Sequence, residues 1–441
     1  VPRPGFEPGA RARKARMFDR ATPPGLDIRE GRPFKNLSGL VPLIEHHCIR
    51  GSNPKLDGNL FNRSHKPKAM PMKTLADVFR EALKEKGISS IGTLSKRFRK
   101  SKNKLQDIAI EIVHGKGAVF RVPEKTAVAW DLNGNRVDGS YYAYAPLCMR
   151  EKFEPVLTPE ELREKLPDWP YFIIDLYHWD KHTQKEKGKI CLQVNQSYGL
   201  LRDYFTGSEL AVTWANEEFR EMFHGPLDRI TTYGGPTSEF LKENGINEVV
   251  LLDPWAEEVL SEKDFDVKAF IIGGIVDTGG NKKKTTPKIG EELESAGIKV
   301  RRRKIVLRGD VVGVPDRINR ILGIILKMMV EGKSMDEAVY EMQEPLHARW
   351  RLRKELPKRA TRYMVEGKVY RVVEKELFDE YSKWLKIRWE DFVKVLRELD
   401  LVALERKRIH HLNKISNARI INGKLHRVIL LKRAAMLCYN C

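Results

Sequence analysis

From about residue 165 the chain alternates short apolar runs with longer stretches whose apolar positions recur at helical spacing. The runs at 171–176, 210–214, 229–233, 248–252, 270–276 and 303–307 predict strands. The stretches near 183–204, 216–223, 236–243, 256–261 and 287–296 predict helices, and a long apolar helix is expected over 316–330. Strand–helix alternation of this kind predicts an α/β fold, with a parallel sheet covered by helices on both faces. In such sheets ligands bind at the carboxyl ends of the strands. Ahead of this region, Leu75, Val78, Phe79 and Leu83 lie at helical spacing after Thr74, and strand-like pieces follow at 118–122, 127–131 and 141–144. They predict a small α+β unit ending near Pro155, with a proline-rich charged linker over 155–170. After Gly332 the pattern predicts a charged helical region to about Glu405. No apolar run approaches the ~20 residues of a membrane span. The longest, over 321–330, is interrupted by Lys327. No segment has the form of a secretory signal.

Composition changes this picture at the two ends. The formal net charge is +20, of which residues 1–71 carry +8 and residues 406–441 carry +9, leaving +3 for everything between. A polyanionic partner such as nucleic acid is therefore to be sought in local clusters rather than in the total. Residues 1–71 are rich in Pro, Gly and Arg, lack periodicity, and are expected to be disordered. The string Gly5-Phe6-Glu7-Pro8-Gly9 would be encoded by DNA resembling the T-arm of a tRNA gene. This predicts that the leader is read from a neighbouring gene and that the native start is Met70 or Met72. The five cysteines form no disulfide framework and fit a reducing cytoplasm. Cys438 and Cys441 make a lone CxxC without a second pair, so no metal site is expected. Few cysteines beside abundant Lys, Arg and Glu fit a heat-adapted source.

Three strand ends carry the candidate chemistry. They are Val249-Val250-Leu251-Leu252-Asp253-Pro254-Trp255, then Ile271-Ile272-Gly273-Gly274-Ile275-Val276-Asp277, then Leu307-Arg308-Gly309-Asp310-Val311-Val312-Gly313-Val314-Pro315-Asp316-Arg317. Two glycines at a strand end let backbone approach a ligand closely. Asp277, beside that turn and ahead of Lys282, Lys283 and Lys284, is placed for acid–base work near an anionic substrate; a glycine-rich surface turn would explain the same string taken alone. The chain has no G-x-G-x-x-G after the first strand, no Walker A loop, and no HExxH, GxSxG or zinc-deaminase signature.

The combination of the Leu252–Trp255 strand end, the Ile271–Asp277 string and the Val311–Ile318 segment leading into a long helix resembles the SPOUT superfamily. Within it the chain is similar to the archaeal branch of the tRNA N1-purine methyltransferases that modify nucleotide nine, well over 165–345 and more loosely over 72–160. The resemblance implies a SPOUT-type parallel sheet with a deep C-terminal trefoil knot, flanked by a small N-terminal α+β domain and a C-terminal helical region. The domains would be a leader at 1–71, an N-terminal RNA-binding domain at 72–160, a methyltransferase domain at 165–335, a helical RNA-contacting region at 336–405 and a basic tail at 406–441. It also implies S-adenosylmethionine as cofactor, bent in the knot and held mostly by backbone of three loops. Leu252, Asp253, Pro254, Gly273, Gly274, Val276, Leu307, Gly309, Val312, Gly313 and Val314 would form them. Asp277 matches the family's general base and Asp316 its second acidic position, while Val314-Pro315-Asp316 stands where many relatives have an asparagine. A monomer acting on tRNA in the cytoplasm is expected. The target base would be adenine, guanine or both; another RNA target (an rRNA base or a ribose), a non-catalytic RNA-binding protein and a doubly wound nucleotide-binding enzyme are the alternatives.

Three basic clusters are candidates for gripping RNA: Lys96, Arg97, Arg99, Lys100 and Lys102 around Phe98; Lys282, Lys283 and Lys284; and Arg349, Arg351 and Arg353 around Trp350. A solvated helix face explains any one of them singly. Three clusters over three regions point to a large folded polyanion, with Phe98 and Trp350 available to stack on bases. Lys299–Lys304 is read first as protection of a strand edge.

Overall fold

The computed structural model describes residues 72–278 and 285–430. The leader, Lys282–Lys284, the terminal CxxC and the side chains of Arg97 and Arg99 lie outside what is described. The first region opens with α1 (Leu75–Glu85), started by a Thr74–Asp77 capping box, followed by β1 (Ser90–Thr93), a 3-10 turn over Lys96–Lys100 and α2 (Lys104–Val113). Then come β2 (Gly117–Arg121), β3 (Ala129–Asp131), β4 (Arg136–Val137), β5 (Tyr142–Pro146), β6 (Pro155–Leu157) and α3 (Pro159–Glu164). The six strands order as β4-β3-β1-β5-β2-β6. The expected linker over 155–170 is thus structured. Val156 and Leu157 extend the sheet, and Thr158 with Glu161 caps a helix whose first residue is Pro159, where proline's missing N–H costs nothing.

The second region matches the predicted alternation closely. Strands β7 (Tyr171–Asp175), β8 (Leu210–Thr213), β9 (Thr231–Thr232), β10 (Glu248–Leu252), β11 (Ala269–Gly273) and β12 (Lys299–Arg303) form a wholly parallel sheet in the order β12-β10-β11-β7-β8-β9. Between them lie α4 (Gln184–Arg202), α5 (Glu217–Met222), α6 (Thr237–Glu243) and α7 (Thr286–Ser295), and α8 (Ile318–Met329) follows the last strand. Two predicted elements move. Residues 256–261 are not helical: Val259 pairs with Lys304 in an isolated bridge, and only a 3-10 turn at Glu262–Asp264 follows. The last strand is Lys299–Arg303 rather than 303–307, so the basic run does not shield a strand edge but is itself the edge strand. Its guanidiniums are paired, Arg301 with Glu248 (2.6 Å) and Asp266 (2.6 Å), and Arg303 with Asp264 (2.8 Å) and Glu258 (2.6 Å). Ile305 and Leu307 leave the ladder and enter the core.

The third region begins as predicted with α9 (Met335–Met342) and α10 (Pro345–Glu355), and then departs from the helical expectation. Hairpin β13 (Thr361–Val365) and β14 (Lys368–Glu374) turns on Glu366 and Gly367, both with positive φ (50° and 78°), as two-residue hairpins require. Helices α11 (Leu377–Ser382) and α12 (Trp389–Glu398) precede β15 (Val402–Leu404). The expected basic tail is also folded as far as residue 430: α13 (Arg406–Ile415) leads into hairpin β16 (Ser416–Ile421) and β17 (Lys424–Ile429), which turns on Asn422-Gly423. The five strands order as β15-β14-β13-β17-β16. One apolar core runs through all three regions, from Leu75 and Phe79 through Phe172 and Leu322 to Phe392. Buried Gln106 of α2 stitches the first two, donating to the carbonyls of Arg202 and Phe205 (2.9 Å each) and accepting from Ala76 N–H (2.9 Å).

Candidate active site

The sheet order places β11 between β10 and β7, so three strand ends open side by side. Beyond β10, the chain turns at Asp253, whose buried carboxylate accepts the Trp255 N–H (3.0 Å) and whose pKa burial raises. Asp253 N–H donates to Arg303 O (2.8 Å), tying this loop to the end of β12. Leu252 is buried, Pro254 is exposed and Trp255 stands out into solvent. Beyond β11, Gly274 N–H donates to Asp175 O (2.7 Å). A Cβ on Gly274 would lie 2.5 Å from Leu176 Cδ2 and 2.9 Å from Asp175 O, so only glycine fits there.

Helix α4 then fixes the loop that carries Asp277. Val276 N–H donates to His182 Nε2 (3.1 Å), just ahead of the helix. Thr278 donates to Glu186 Oε1 through its N–H (3.0 Å) and its hydroxyl (2.8 Å). The other oxygen of Glu186 closes the helix's own capping box with Thr183. Val276 is half-buried and Asp277 exposed.

The third segment crosses back to the same helix. Leu307 and Asp310 close a turn through paired backbone bonds, with Arg308 and Gly309 at positive φ (46° and 75°). Gly313 also sits at positive φ (97°), Val312 and Val314 are half-buried, and Asp316 is exposed. Ile318 N–H, at the start of α8, donates to Gln193 Oε1 of α4 (2.8 Å). Glu186 and Gln193 are two helical turns apart, so α4 anchors the segments bearing Asp277 and Asp316 at points about 10 Å apart along one face.

The predicted RNA contacts divide. Lys96, Lys100 and Lys102 are exposed. Phe98 cannot stack on a base, because it is only 2% exposed and packs edge-on against Tyr144 in the core. Trp350 is exposed, whereas Arg349 pairs with Asp391 (2.6 Å) and Arg353 with Glu398 (2.8 Å). Arg351 is not an RNA contact: it is 5% exposed and donates inward, through Nη1 to Leu307 O (2.9 Å) and Val312 O (3.1 Å) and through Nε to Glu355 (2.7 Å). Gln343 donates to Gly313 O (2.7 Å), so two side chains of the third region hold the third loop.

Two residues at the site escape the sequence pattern. Asp175 ends β7 beside Gly274; burial pushes its carboxyl up to about 6, although Thr237 Oγ1 (2.5 Å) and Tyr177 N–H (2.8 Å) donate to it. An acid closing an apolar run at a carboxyl end was the available signal. His347 is buried with Nε2 3.1 Å from Asp316 Oδ1. Among the described residues no group of three or more His, Cys, Asp or Glu gathers as a metal cluster, and no helix is long and apolar enough to cross a membrane.

Comparisons with known proteins agree with this arrangement. Residues 76–165 and 349–434 match the models of the N and C domains of tRNA (guanine(9)-/adenine(9)-N1)-methyltransferase, and 155–306 match that of tRNA (guanine(9)-N(1))-methyltransferase TRM10/TRM10A. A tRNA (adenine(9)-N1)-methyltransferase of Sulfolobus acidocaldarius is 27% identical over 315 residues, 71% of this chain and 94% of its own. The crystal structure of dual specific Trm10 from Thermococcus kodakaraensis is 90% identical, covering 60% of this chain and 99% of that one, with TM-score 0.54. Trm10 of Sulfolobus acidocaldarius in complex with S-adenosylhomocysteine shares the fold at 23% identity, covering 74% and 100%, with TM-score 0.52. Three loops at the carboxyl ends of a parallel sheet, two of them lined by glycine and tethered to one helix, are thus features of a chain that belongs to the Trm10 family of tRNA purine-9 N1-methyltransferases.

Proposed function

We propose that this chain methylates N1 of adenine and guanine at position 9 of tRNA, with S-adenosylmethionine as methyl donor, acting as a cytoplasmic monomer. The observation that supports the reading is the pair of anchors on α4: Thr278, next to Asp277, and Ile318, two residues after Asp316, are both bonded to that helix. The loops suit a cofactor held by backbone. Gly274 leaves no room for a side chain, and Gly309 and Gly313 adopt left-handed φ that glycine takes without strain. Leu252, Asp253, Pro254, Gly273, Gly274, Val276, Leu307, Gly309, Val312, Gly313 and Val314 would line that cradle, within a trefoil knot. S-adenosylmethionine supplies an electrophilic methyl on a sulfonium, which needs no metal.

The protein's work is to place N1 in line with the methyl and to handle one proton. Guanine N1 carries a proton that must leave, and Asp277 takes it as general base. Adenine N1 has a free lone pair, so for adenine Asp277 accepts a hydrogen bond from the exocyclic amine. Asp316 serves as a second acceptor. N1 lies on the Watson–Crick edge, so the base is flipped out of its stack. Lys96, Lys100, Lys102 and Trp350, with Lys282–Lys284, track the tRNA backbone and its exposed bases.

The test is single-turnover methyl transfer from labelled cofactor to transcripts carrying A or G at nucleotide nine, for wild type and Asp277→Asn. Label at N1 of that nucleotide is expected, with Asp277→Asn lowering guanine transfer about 100-fold or more and adenine transfer less. Undiminished guanine transfer in Asp277→Asn would remove the base role. Label elsewhere in RNA would change the target.

A further inference from the structure

Helix α10 reaches the active site through its first turn. His347 is 2% exposed, and its Nε2 lies 3.1 Å from Oδ1 of Asp316, whose side chain is 70% exposed. A carboxylate only accepts, so Nε2 carries the proton and donates. Nδ1 is buried and meets no hydrogen-bond partner among the described residues. Nε2–H is thus the ring's paired donor, and Nδ1 makes no bond of its own among the described residues. The Trp350 ring packs edge-on against the imidazole (5.2 Å between centroids, 84°), which fixes its plane. The nearby guanidiniums of Arg317 and Arg320 both bind Glu344 (3.0 and 3.1 Å), leaving His347 as the group that bonds Asp316 directly.

We infer that His347 is a positioning residue for methyl transfer, its buried Nε2–H orienting the exposed Asp316 carboxylate toward the target base. The inference rests on the reading that Asp316 faces that base. With Oδ1 committed to His347, Oδ2 is the oxygen presented outward. An exposed aspartate would otherwise sample several rotamers, and each misplaced one fails to align N1 with the methyl. The His347 bond also holds Asp316 below the usual carboxylate range, with the positive Arg317 acting in the same direction, so it remains an acceptor through neutral pH. His347 gives and takes no proton in this scheme. Its effect therefore falls on the transfer rate for both bases and not on cofactor affinity.

Three variants test it. His347→Phe keeps the ring volume and the contact with Trp350 but has no donor. His347→Gln replaces the Nε2–H with an amide N–H at a similar reach. Single-turnover rates on A9 and G9 transcripts and the cofactor Kd by calorimetry are measured for both, with Asp316→Asn alongside. His347→Phe is expected to transfer about tenfold slower on both transcripts, the loss of one charge-assisted hydrogen bond, with cofactor Kd unchanged. His347→Gln is expected to recover to within about threefold. A His347→Phe variant at the wild-type rate overturns the inference, and so do Phe and Gln variants equally slow, which would indicate packing alone. Should His347→Phe not fold, His347→Ala carries the same expectation. If Asp316→Asn runs at the wild-type rate, it is the role of Asp316 that fails.

Discussion

Replacing Arg351 by Met tests whether the third loop is held from within. Methionine keeps most of the stem and removes the guanidinium, which touches two carbonyls of the loop, the carboxylates of Glu355 (2.7 Å) and Asp310 (4.0 Å), and the face of Trp384 (5.4 Å to its centroid). The side chain is buried, so its loss leaves the Val312 carbonyl short of its donor, the Leu307 carbonyl with the Asp310 N–H alone, and Glu355 with the exposed Lys358 as its remaining ion-pair partner among the described residues (2.9 Å). Breaking a buried charged network of this kind costs about 3–5 kcal/mol of stability. Cofactor binding feels only part of that, because Gln343 still holds Gly313 O and the Leu307–Asp310 turn closes on itself. A weakening of about tenfold in cofactor Kd, or roughly 1.4 kcal/mol, is expected, with tRNA affinity changed less than about twofold. Calorimetric titration with S-adenosylmethionine and filter binding of tRNA give the two numbers. The opposite pattern, tRNA binding lost and cofactor binding intact, would refute the reasoning and restore Arg351 as an RNA contact. Lysine in its place is expected to behave like methionine, since one ammonium cannot reproduce the fork that reaches Glu355 and the carbonyls together.

Other outcomes follow from the same geometry. Asp175 holds its proton to about pH 6 when folded, against 3.8 for a free side chain, because burial disfavours its charge. A raised acid loses stability as pH climbs from about 4 to 6, in all about 3 kcal/mol for a shift of roughly two units. Thermal melts of Asp175→Asn minus wild type should therefore be more positive at pH 7 than at pH 4, and a difference independent of pH would contradict the burial argument. Phe98→Ala is expected to lose about 3–5 kcal/mol in denaturant unfolding without a specific effect on tRNA binding. Lys96→Ala, Lys100→Ala and Lys102→Ala should instead each lower the log–log salt slope of tRNA binding by about one if they touch phosphates; unchanged slopes would place the RNA elsewhere.

The parallel sheet was legible because strands buried on both faces read as continuous apolar runs, as Phe172–Ile174, Val249–Leu252 and Phe270–Ile272 do. Two of the three candidate loops were marked by glycines at strand ends, a signal that a glycine-rich surface turn would also give. What misled was polarity taken as exposure. His347, Arg351 and Glu355 lie four residues apart, one stripe of α10 turned inward toward the third loop, while Trp350 faces out. A run of arginines does not reveal which of its members have buried carbonyls to satisfy. Phe98 failed for the complementary reason, since an aromatic among lysines reads equally as a stacking platform or as a plug. The C-terminal hairpins were readable and missed: Asn422-Gly423 between alternating residues is a strong short-range hairpin signal, obscured by the absence of acids around it.

The edge strand β12 has a consequence for when this enzyme works best. Its open side faces solvent with Lys299, Arg301 and Arg303 bound into carboxylates of neighbouring segments, Glu248 receiving both Lys299 (2.8 Å) and Arg301. Charges lose hydration on heating, so such a network grows more favourable relative to solvent as temperature rises, when apolar burial has stopped gaining. Concentrated salt weakens it at any temperature by screening its outer members. The side of the sheet next to the Asp253 loop is thus fastened by the interaction that ages best with heat, as long as the surrounding salt stays moderate.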